Sequence, residues 1–154
     1  MIDDQPPIEK KIERVKHLFF ERSSEEKIQT LLNLGRSLPP YPDEFKTAAC
    51  LVAGCQSILY LSSRNDNGRV FFNAQADALI SRGLAALLIS VYSGETPEAI
   101  LNQSPAFLID YGILTSLTPS RSNGLAHIHR QMKNYALKFL LSKRKSLDLN
   151  QSPL

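Results

Sequence analysis

The Cys55 thiol is the strongest candidate for covalent chemistry in this chain. Cys55 follows Gly54 and precedes Gln56 and Ser57 in the segment LVAGCQSILYL, residues 51–61. Glycine gives the backbone the freedom to make a tight turn, and two polar neighbours disfavour a core position, so the pattern indicates a loop where a strand begins. The thiol is then either a small inert side chain, the commoner fate of a single cysteine, or a nucleophile.

The other thiol and the histidines give weaker signals. Cys50 lies in the segment TAACLV, where it is most simply a strand residue, and a redox partnership with Cys55 stays open because only geometry decides it. His17, His127 and His129 show no metal-ligand spacing, so we interpret them as solvated surface side chains.

A polar segment near the C-terminal half, TPSRSNG at residues 118–124, offers a charge for the thiol. Its simplest interpretation is a helix start, with Thr118 before a proline. Arg121 in that segment is a permanent cation close to an electropositive helix end, and beside Cys55 it would favour thiolate over thiol. Asp77 is either a helix cap or the carboxylate that orients Arg121.

Helical patterns surround the segment that carries Cys55. Ile8, Ile12, Val15 and Phe19 fall at helical spacing, which predicts a first helix. Ser23 and Glu26 form a capping-box pattern that opens a second helix, and the LPPYP segment, residues 38–42, ends it.

Strand patterns follow, and then further helices. We predict three short antiparallel strands in FKTAACLV, SILYLSS and RVFFNA, with Asn67-Gly68 as the turn between the last two. Helices are predicted after Asp77, in ETPEAILN, in QSPAFLIDYG and over a long segment that starts at TPSRSNG. The predicted fold class is therefore α+β, a small three-stranded antiparallel sheet packed against several helices.

Length and composition indicate an ordinary soluble protein. We expect one domain over residues 1–154, with loose termini at residues 1–6 and about 146–154. A net charge of +3 is too small to argue for nucleic acid, and no apolar run is long enough for a membrane span. The polar start MIDDQPPIEKK is not a secretory signal, so we expect a cytoplasmic protein with reduced thiols.

Three motifs in this order resemble the SufE family of sulfur acceptors for cysteine desulfurases. They are VAGCQS, then ADALISRGLAALLISVYSGETPEAIL, then LTPSRSNGL, and the resemblance runs from about Phe45 to Tyr135. It implies an α+β fold related to the scaffold protein IscU. The chain departs from the family in having Tyr60 where tryptophan is usual and in carrying the additional thiol Cys50.

The resemblance also implies a function. Cys55 would accept sulfane sulfur as a persulfide from a pyridoxal-phosphate cysteine desulfurase of the SufS or CsdA kind, stimulate that enzyme, and pass sulfur to an iron–sulfur scaffold. The chain would hold no cofactor or metal of its own and act as a carrier and activator rather than a stand-alone enzyme. Asp77 and Arg121 fall on the family's polar positions near the acceptor loop. We expect the apolar side chains of Leu51, Val52 and Ile58 to shelter the sulfur.

Other functions stay open at this point. An iron–sulfur scaffold needs about three cysteine ligands, and the chain has only Cys50 and Cys55. A hydrolase or peroxidase using Cys55 would need a base such as histidine nearby in space. A regulator that binds a desulfurase without chemistry, and assembly into a homodimer, are further alternatives.

Overall fold

The computed structural model describes residues 6–55 and 57–151, with side chains as far as Leu147. The loose N-terminus predicted for residues 1–6 falls, for residues 1–5, outside the described residues.

Helices dominate the described part of the chain. The α-helices are α1 (Ile8–Phe19), α2 (Ser24–Arg36), α3 (Leu79–Tyr92), α4 (Pro97–Asn102), α5 (Phe107–Asp110) and α6 (Pro119–Gln151). The strands are β1 (Leu59–Asp66) and β2 (Arg69–Ala76), and short 3₁₀ turns lie at Asp43–Phe45, Ala48–Cys50 and Leu114–Ser116.

The two N-terminal helices confirm the sequence prediction. The Ser23 side chain accepts the Glu26 amide at 3.1 Å, and the Glu26 carboxylate accepts the Ser23 amide at 3.1 Å, which completes the capping box.

Glycines let α2 cross α3 closely. A Cβ on Gly83 would collide with the carbonyl oxygen of Leu31, and a Cβ on Gly35 would lie 2.7 Å from the Gly83 nitrogen.

Strands β1 and β2 form the predicted hairpin. They pair in register from Leu59 with Ala76 to Asp66 with Arg69. The turn residues Asn67 and Gly68 both have positive φ, at 53° and 80°, as a two-residue type I′ turn requires.

The third predicted strand is wrong. The FKTAACLV segment contains a 3₁₀ turn at Ala48–Cys50, and its pairing with β1 consists of one bridge, Leu51 with Tyr60, and the Val52 amide bonded to the Leu59 carbonyl at 2.9 Å. Residues 43–49 are all exposed, so a strand there would bury neither face against the core. The sheet is therefore two-stranded.

Asp77 does not cap a helix. Helix α3 begins at Leu79 with Ala78 as its N-cap residue, and no side chain caps it. The Asp77 amide donates to the Ile58 carbonyl at 3.4 Å instead, so its backbone continues the hairpin.

The C-terminal helices follow the sequence with two differences. Thr96 caps α4 before Pro97 as predicted, accepting the Ala99 amide at 3.2 Å. Helix α5 begins at Phe107 rather than at the proline of QSPAFLIDYG. The tail predicted to be loose from about residue 146 is helical through Gln151, because residues 125–151 contain no glycine or proline that would end α6. Residues 152–154 of that predicted tail lie outside the described residues.

Helix α3 lies at the centre of the core, where it contacts α1, α2, β2 and α6. It contributes eight buried residues, and the buried faces of both strands and of α6 join it in one apolar cluster. Within the described residues, we find no helix that combines the length and the apolar character of a membrane span.

A buried ion cluster ties α1 to the connection after α3. The Lys11 ammonium lies 3.0 Å from the Glu95 carboxylate, with side chains that are 6% and 8% exposed, and donates to the Ser93 carbonyl at 2.8 Å. Arg69, at the start of β2, approaches the same carboxylate at 3.7 Å and donates to the Gly94 carbonyl at 2.8 Å. The cluster therefore joins α1, the hairpin and the α3–α4 connection.

Removing the Lys11 charge should destabilise the fold strongly. We expect Lys11→Met to lower the free energy of unfolding by about 3–5 kcal/mol, because the buried Glu95 charge loses its closest partner. Urea denaturation measures the effect, with Lys10→Met at an exposed position of the same helix as the matched control. Equal losses in the two variants would contradict the prediction.

Candidate functional site

Cys55 lies in a short loop between the Leu51 bridge and β1, outside any helix or strand. We call residues 52–55 and 57–58 the Cys55 loop. Its glycine, Gly54, has a φ of +86°, a left-handed conformation that other residues adopt only with strain. The Ser57 hydroxyl lies 2.7 Å from the Ser81 hydroxyl of α3, which holds the loop against that helix.

The half-buried Cys55 side chain lines a cavity of about 310 Å³ between the loop, α3 and α6. The lining combines apolar side chains with hydroxyl groups and one cation. Its members are Cys55, Ser57, Leu59, Ala78, Ile80, Ser81, Leu84, Thr118, Ser120, Arg121, Gly124 and Ile128. We call this space the Cys55 cavity. It is large enough for a sulfur atom added to the thiol, and it surrounds that atom partly with hydrocarbon.

Burial raises the pKa of the Cys55 thiol above its ordinary value, because the thiolate loses hydration inside the cavity. Among the described residues, burial is the cause of this shift, and no opposing contribution from Arg121 accompanies it. Because the folded-state pKa of the thiol is raised, the contribution of the neutral Cys55 thiol to the stability of this conformation is fully present below the ordinary thiol pKa. That contribution is lost as the pH rises through the raised pKa.

The pH dependence of Cys55 alkylation should show this shift. In a Cys50→Ser background, we expect the midpoint of the rate profile to lie at higher pH in the native protein than in urea, because burial disfavours the reacting thiolate. Iodoacetamide labelling followed by mass spectrometry measures both profiles. A native midpoint at or below the denatured one would show that a cation outweighs burial.

Arg121 and Asp77 are not brought together. Arg121 is exposed at the start of α6 and lines the Cys55 cavity, whereas Asp77 is exposed and does not line it. Within residues 6–55 and 57–147, neither side chain forms an ion pair or hydrogen bond with the other. Asp43, by a hydrogen bond and its charge, raises the pKa of Lys46, and Asp77 adds a smaller contribution to that shift.

Cys50 lies in a different environment from Cys55. Both are free thiols, and Cys50 is absent from the lining of the Cys55 cavity. It neighbours the hydroxyls of Tyr41 and Tyr135. Burial, and to a smaller extent the neighbouring Cys50, raises the pKa of Tyr41 to about 12. Tyr60, the position where the family usually has tryptophan, stacks on Tyr41 with ring centroids 6.3 Å apart. A redox role for Cys50 stays a prediction.

The prediction of surface histidines is correct for His17 and wrong for the other two. His129 is buried against the Tyr92 ring, with centroids 5.0 Å apart, and burial together with the Lys133 charge lowers its pKa to about 4. His127 is half-buried, and its imidazole lies against Gly54. The sequence contained one signal that His129 is buried. His129 follows the apolar residue Leu125 by four positions, so the two side chains lie on the same face of a helix.

The apolar shelter expected from sequence is also different. Leu51 and Ile58 are 43% and 53% exposed, Val52 is buried in the core, and none of them lines the Cys55 cavity. The apolar walls come instead from β1, α3 and α6, at Leu59, Ile80, Leu84 and Ile128. The three apolar residues that flank Cys55 in sequence therefore do not form the walls of the cavity.

Comparison with known proteins identifies the family. A family profile described as "SufE: Fe-S metabolism associated domain" matches residues 13–136, a range that contains Cys55, Asp77 and Arg121. The chain belongs to the SufE family. An uncharacterized SufE-like protein from Synechocystis is 36% identical over 140 residues, which is 90% of this chain and 85% of that protein.

Other similarities agree with this family. The sulfur acceptor protein CsdE from Escherichia coli is 38% identical over 103 residues, 66% of this chain and 70% of that protein. The solution structure of a hypothetical protein from Thermus thermophilus superimposes with a TM-score of 0.73 at 27% identity, over 85% of this chain and 96% of that chain. The SufE-family fold and the Cys55 loop thus occur together here. No cluster of three or more metal-ligating side chains occurs among the residues that the structure describes.

Proposed function

We propose that this SufE-family chain accepts sulfane sulfur on Cys55 from a pyridoxal-phosphate cysteine desulfurase, stimulates that enzyme, and passes the sulfur on for iron–sulfur cluster assembly. The observation that carries the proposal is the position of the Cys55 thiol, at the wall of a cavity whose lining combines apolar side chains, hydroxyl groups and Arg121. The printed name of the Escherichia coli relative, a sulfur acceptor protein, supports the same role.

The transfer needs no oxidant and no metal. The Cys55 thiolate attacks the outer sulfur of the donor persulfide, the sulfur–sulfur bond of the donor breaks, and its electron pair leaves with the donor cysteine as a thiolate. A new sulfur–sulfur bond then joins the sulfane sulfur to Cys55. Charge and oxidation state balance, so the acceptor must supply only an ionised, reachable thiol. The pyridoxal phosphate belongs to the partner desulfurase, which generates the donor persulfide.

We infer that Cys55 attacks the donor persulfide from a different position of the loop than the one described here. In the conformation described here, which we call the sheltered conformation, burial favours the neutral thiol. Swinging the Cys55 loop out of the cavity would restore hydration and let the thiolate form at the donor. Returning to the cavity would then place the terminal sulfur among Leu59, Ile80 and Leu84, away from reductants in solvent.

Arg121 has a role in this scheme that differs from the one read from sequence. It is exposed and lines the cavity, where burial of Cys55 raises the pKa of the thiol. Its guanidinium is free to meet the thiolate, or the negatively charged persulfide, once the loop has moved. Orientation of Arg121 by Asp77 stays a prediction, since Asp77 does not line the cavity in the sheltered conformation.

Replacing the Cys55 sulfur should abolish sulfur uptake. We expect Cys55→Ser to gain no sulfur when it is incubated with a cysteine desulfurase and cysteine, because a hydroxyl is not a soft nucleophile at neutral pH. Intact-protein mass spectrometry measures the added sulfur, and urea denaturation checks that the fold is retained. Cys50→Ser is the matched control and should take up sulfur like the parent protein.

Two outcomes would overturn the assignment. Sulfur bound to the Cys55→Ser protein, mapped to Cys50 by peptide analysis, would move the acceptor to the other thiol. Full stimulation of the desulfurase by Cys55→Ser would favour the regulator that acts without chemistry.

Arg121 should affect transfer more than folding. We expect Arg121→Ala to lower the second-order rate of sulfur transfer by about tenfold or more, since a hydrogen bond to a charged group contributes about 1.5–3 kcal/mol. The unfolding midpoint should not change, because the side chain is exposed. Arg130→Ala, at another exposed position of α6, is the matched control. Equal transfer rates in the two variants would remove Arg121 from the mechanism.

A further inference from the structure

The imidazole of His127 covers the backbone of the residue that precedes Cys55. A Cβ placed on Gly54 would lie 2.5 Å from Nε2, 2.6 Å from Cε1 and 2.8 Å from Cδ2 of that ring. Carbon atoms in proteins do not approach so closely. The ring therefore occupies the space that a side chain at position 54 would need, and the face of the ring around Nε2 lies against the glycine.

Polar contacts do not account for the position of His127 in the described part of the chain. The residue is half-buried on α6, and within residues 6–55 and 57–147 its side chain forms no hydrogen bond or ion pair. Its contact with Gly54 is a packing contact, made by the ring as a flat surface. Helix α6 is a firm base for it, because α6 packs against α3, α4 and β1.

The same helix also forms one wall of the Cys55 cavity. Arg121, Gly124 and Ile128 of α6 line the cavity, and His127 lies between the last two in sequence. In the sheltered conformation α6 thus holds the loop at two adjacent points, Cys55 at the cavity wall and Gly54 under the His127 ring. A movement of Cys55 out of the cavity has to lift Gly54 off the ring.

We propose that His127 is a positioning residue that holds the Cys55 loop in the sheltered conformation by packing its ring on Gly54. The proposal rests on the proposed function of Cys55 and adds the element that sets the balance between the sheltered and the donor-facing loop. A contact of a few heavy atoms is weak enough to be broken on each transfer and still shifts a loop equilibrium several-fold. The contact is also a second reason for glycine at position 54, in addition to the positive φ, because the ring lies where a Cβ would be.

Thiol labelling of ring variants tests the proposal without a desulfurase. In a Cys50→Ser background, we expect His127→Ala to speed iodoacetamide labelling of Cys55 several-fold, because the loop leaves the cavity more often. His127→Phe keeps a flat ring at the same place and should label at close to the parent rate. His17→Ala, which removes an exposed histidine from α1, is the matched control and should leave the rate unchanged.

A merely structural role for His127 predicts a different pattern. It would lower the unfolding midpoint of His127→Ala without a change in Cys55 labelling under native conditions, and that result would overturn the proposal. Labelling of His127→Phe as fast as that of His127→Ala would overturn it too, because the effect would then belong to the imidazole nitrogens rather than to ring packing.

A double-mutant comparison tests the contact itself. Gly54→Ala places a Cβ where the ring lies and at a positive φ, so the packing contact between ring and loop should be lost and Cys55 should label faster. Adding His127→Ala to Gly54→Ala should then cause little further acceleration, because the shared contact is already lost. Rates that multiply independently in the double variant would show that the two residues do not act through one contact.

A persulfide decay measurement links the contact to sulfur transfer. After loading with a desulfurase and cysteine, we expect the Cys55 persulfide of His127→Ala to be reduced by dithiothreitol several-fold faster than that of the parent. Equal decay rates would contradict the proposal. If the parent protein acquires no sulfur, the proposed function fails, whereas the labelling rates still decide the role of His127.

Discussion

The position of one thiol at the boundary between the apolar interior and water is the constraint on which the rest of this structure depends. An acceptor sulfur must be ionised to attack and shielded to survive, and one fixed position does not serve both needs, because burial disfavours the thiolate. In the proposed function the Cys55 cavity meets the second need, and burial raises the pKa of the thiol there. The first need would then be met by movement of the loop, which contains Gly54 with its positive φ.

The scaffold is rigid on each side of the loop. Helix α3 is buried along most of its length and holds the loop through the hydroxyl pair of Ser57 and Ser81, 2.7 Å apart. Helix α6 supplies a cation, Arg121, one apolar wall and the ring that rests on Gly54. The cavity-lining side chains of α3 and α6 thus lie on packed helices, whereas the thiol lies on a loop. In the proposed function, this arrangement would keep the shape of the cavity unchanged when the thiol moves out of it.

The hairpin links the loop to the rest of the molecule. Because the sheet has two strands, it has little stability by itself and relies on packing against helices. The buried cluster of Lys11, Glu95 and Arg69 joins the far end of the hairpin to α1 and to the end of α3. The Cys55 loop therefore leads into a hairpin that is anchored at its opposite end by buried charge.

The sequence by itself determined the helices, the hairpin turn, the nucleophile candidate and the family, because capping boxes, helical periodicity and turn residues act over a few neighbouring positions. Only the tertiary structure decided the rest. It reduced the third strand to a single bridge at Leu51, separated Asp77 from Arg121, and brought His127 onto Gly54. Each of these depends on packing between segments far apart in the chain, where burial and available space, rather than local residue preference, fix the position of a side chain.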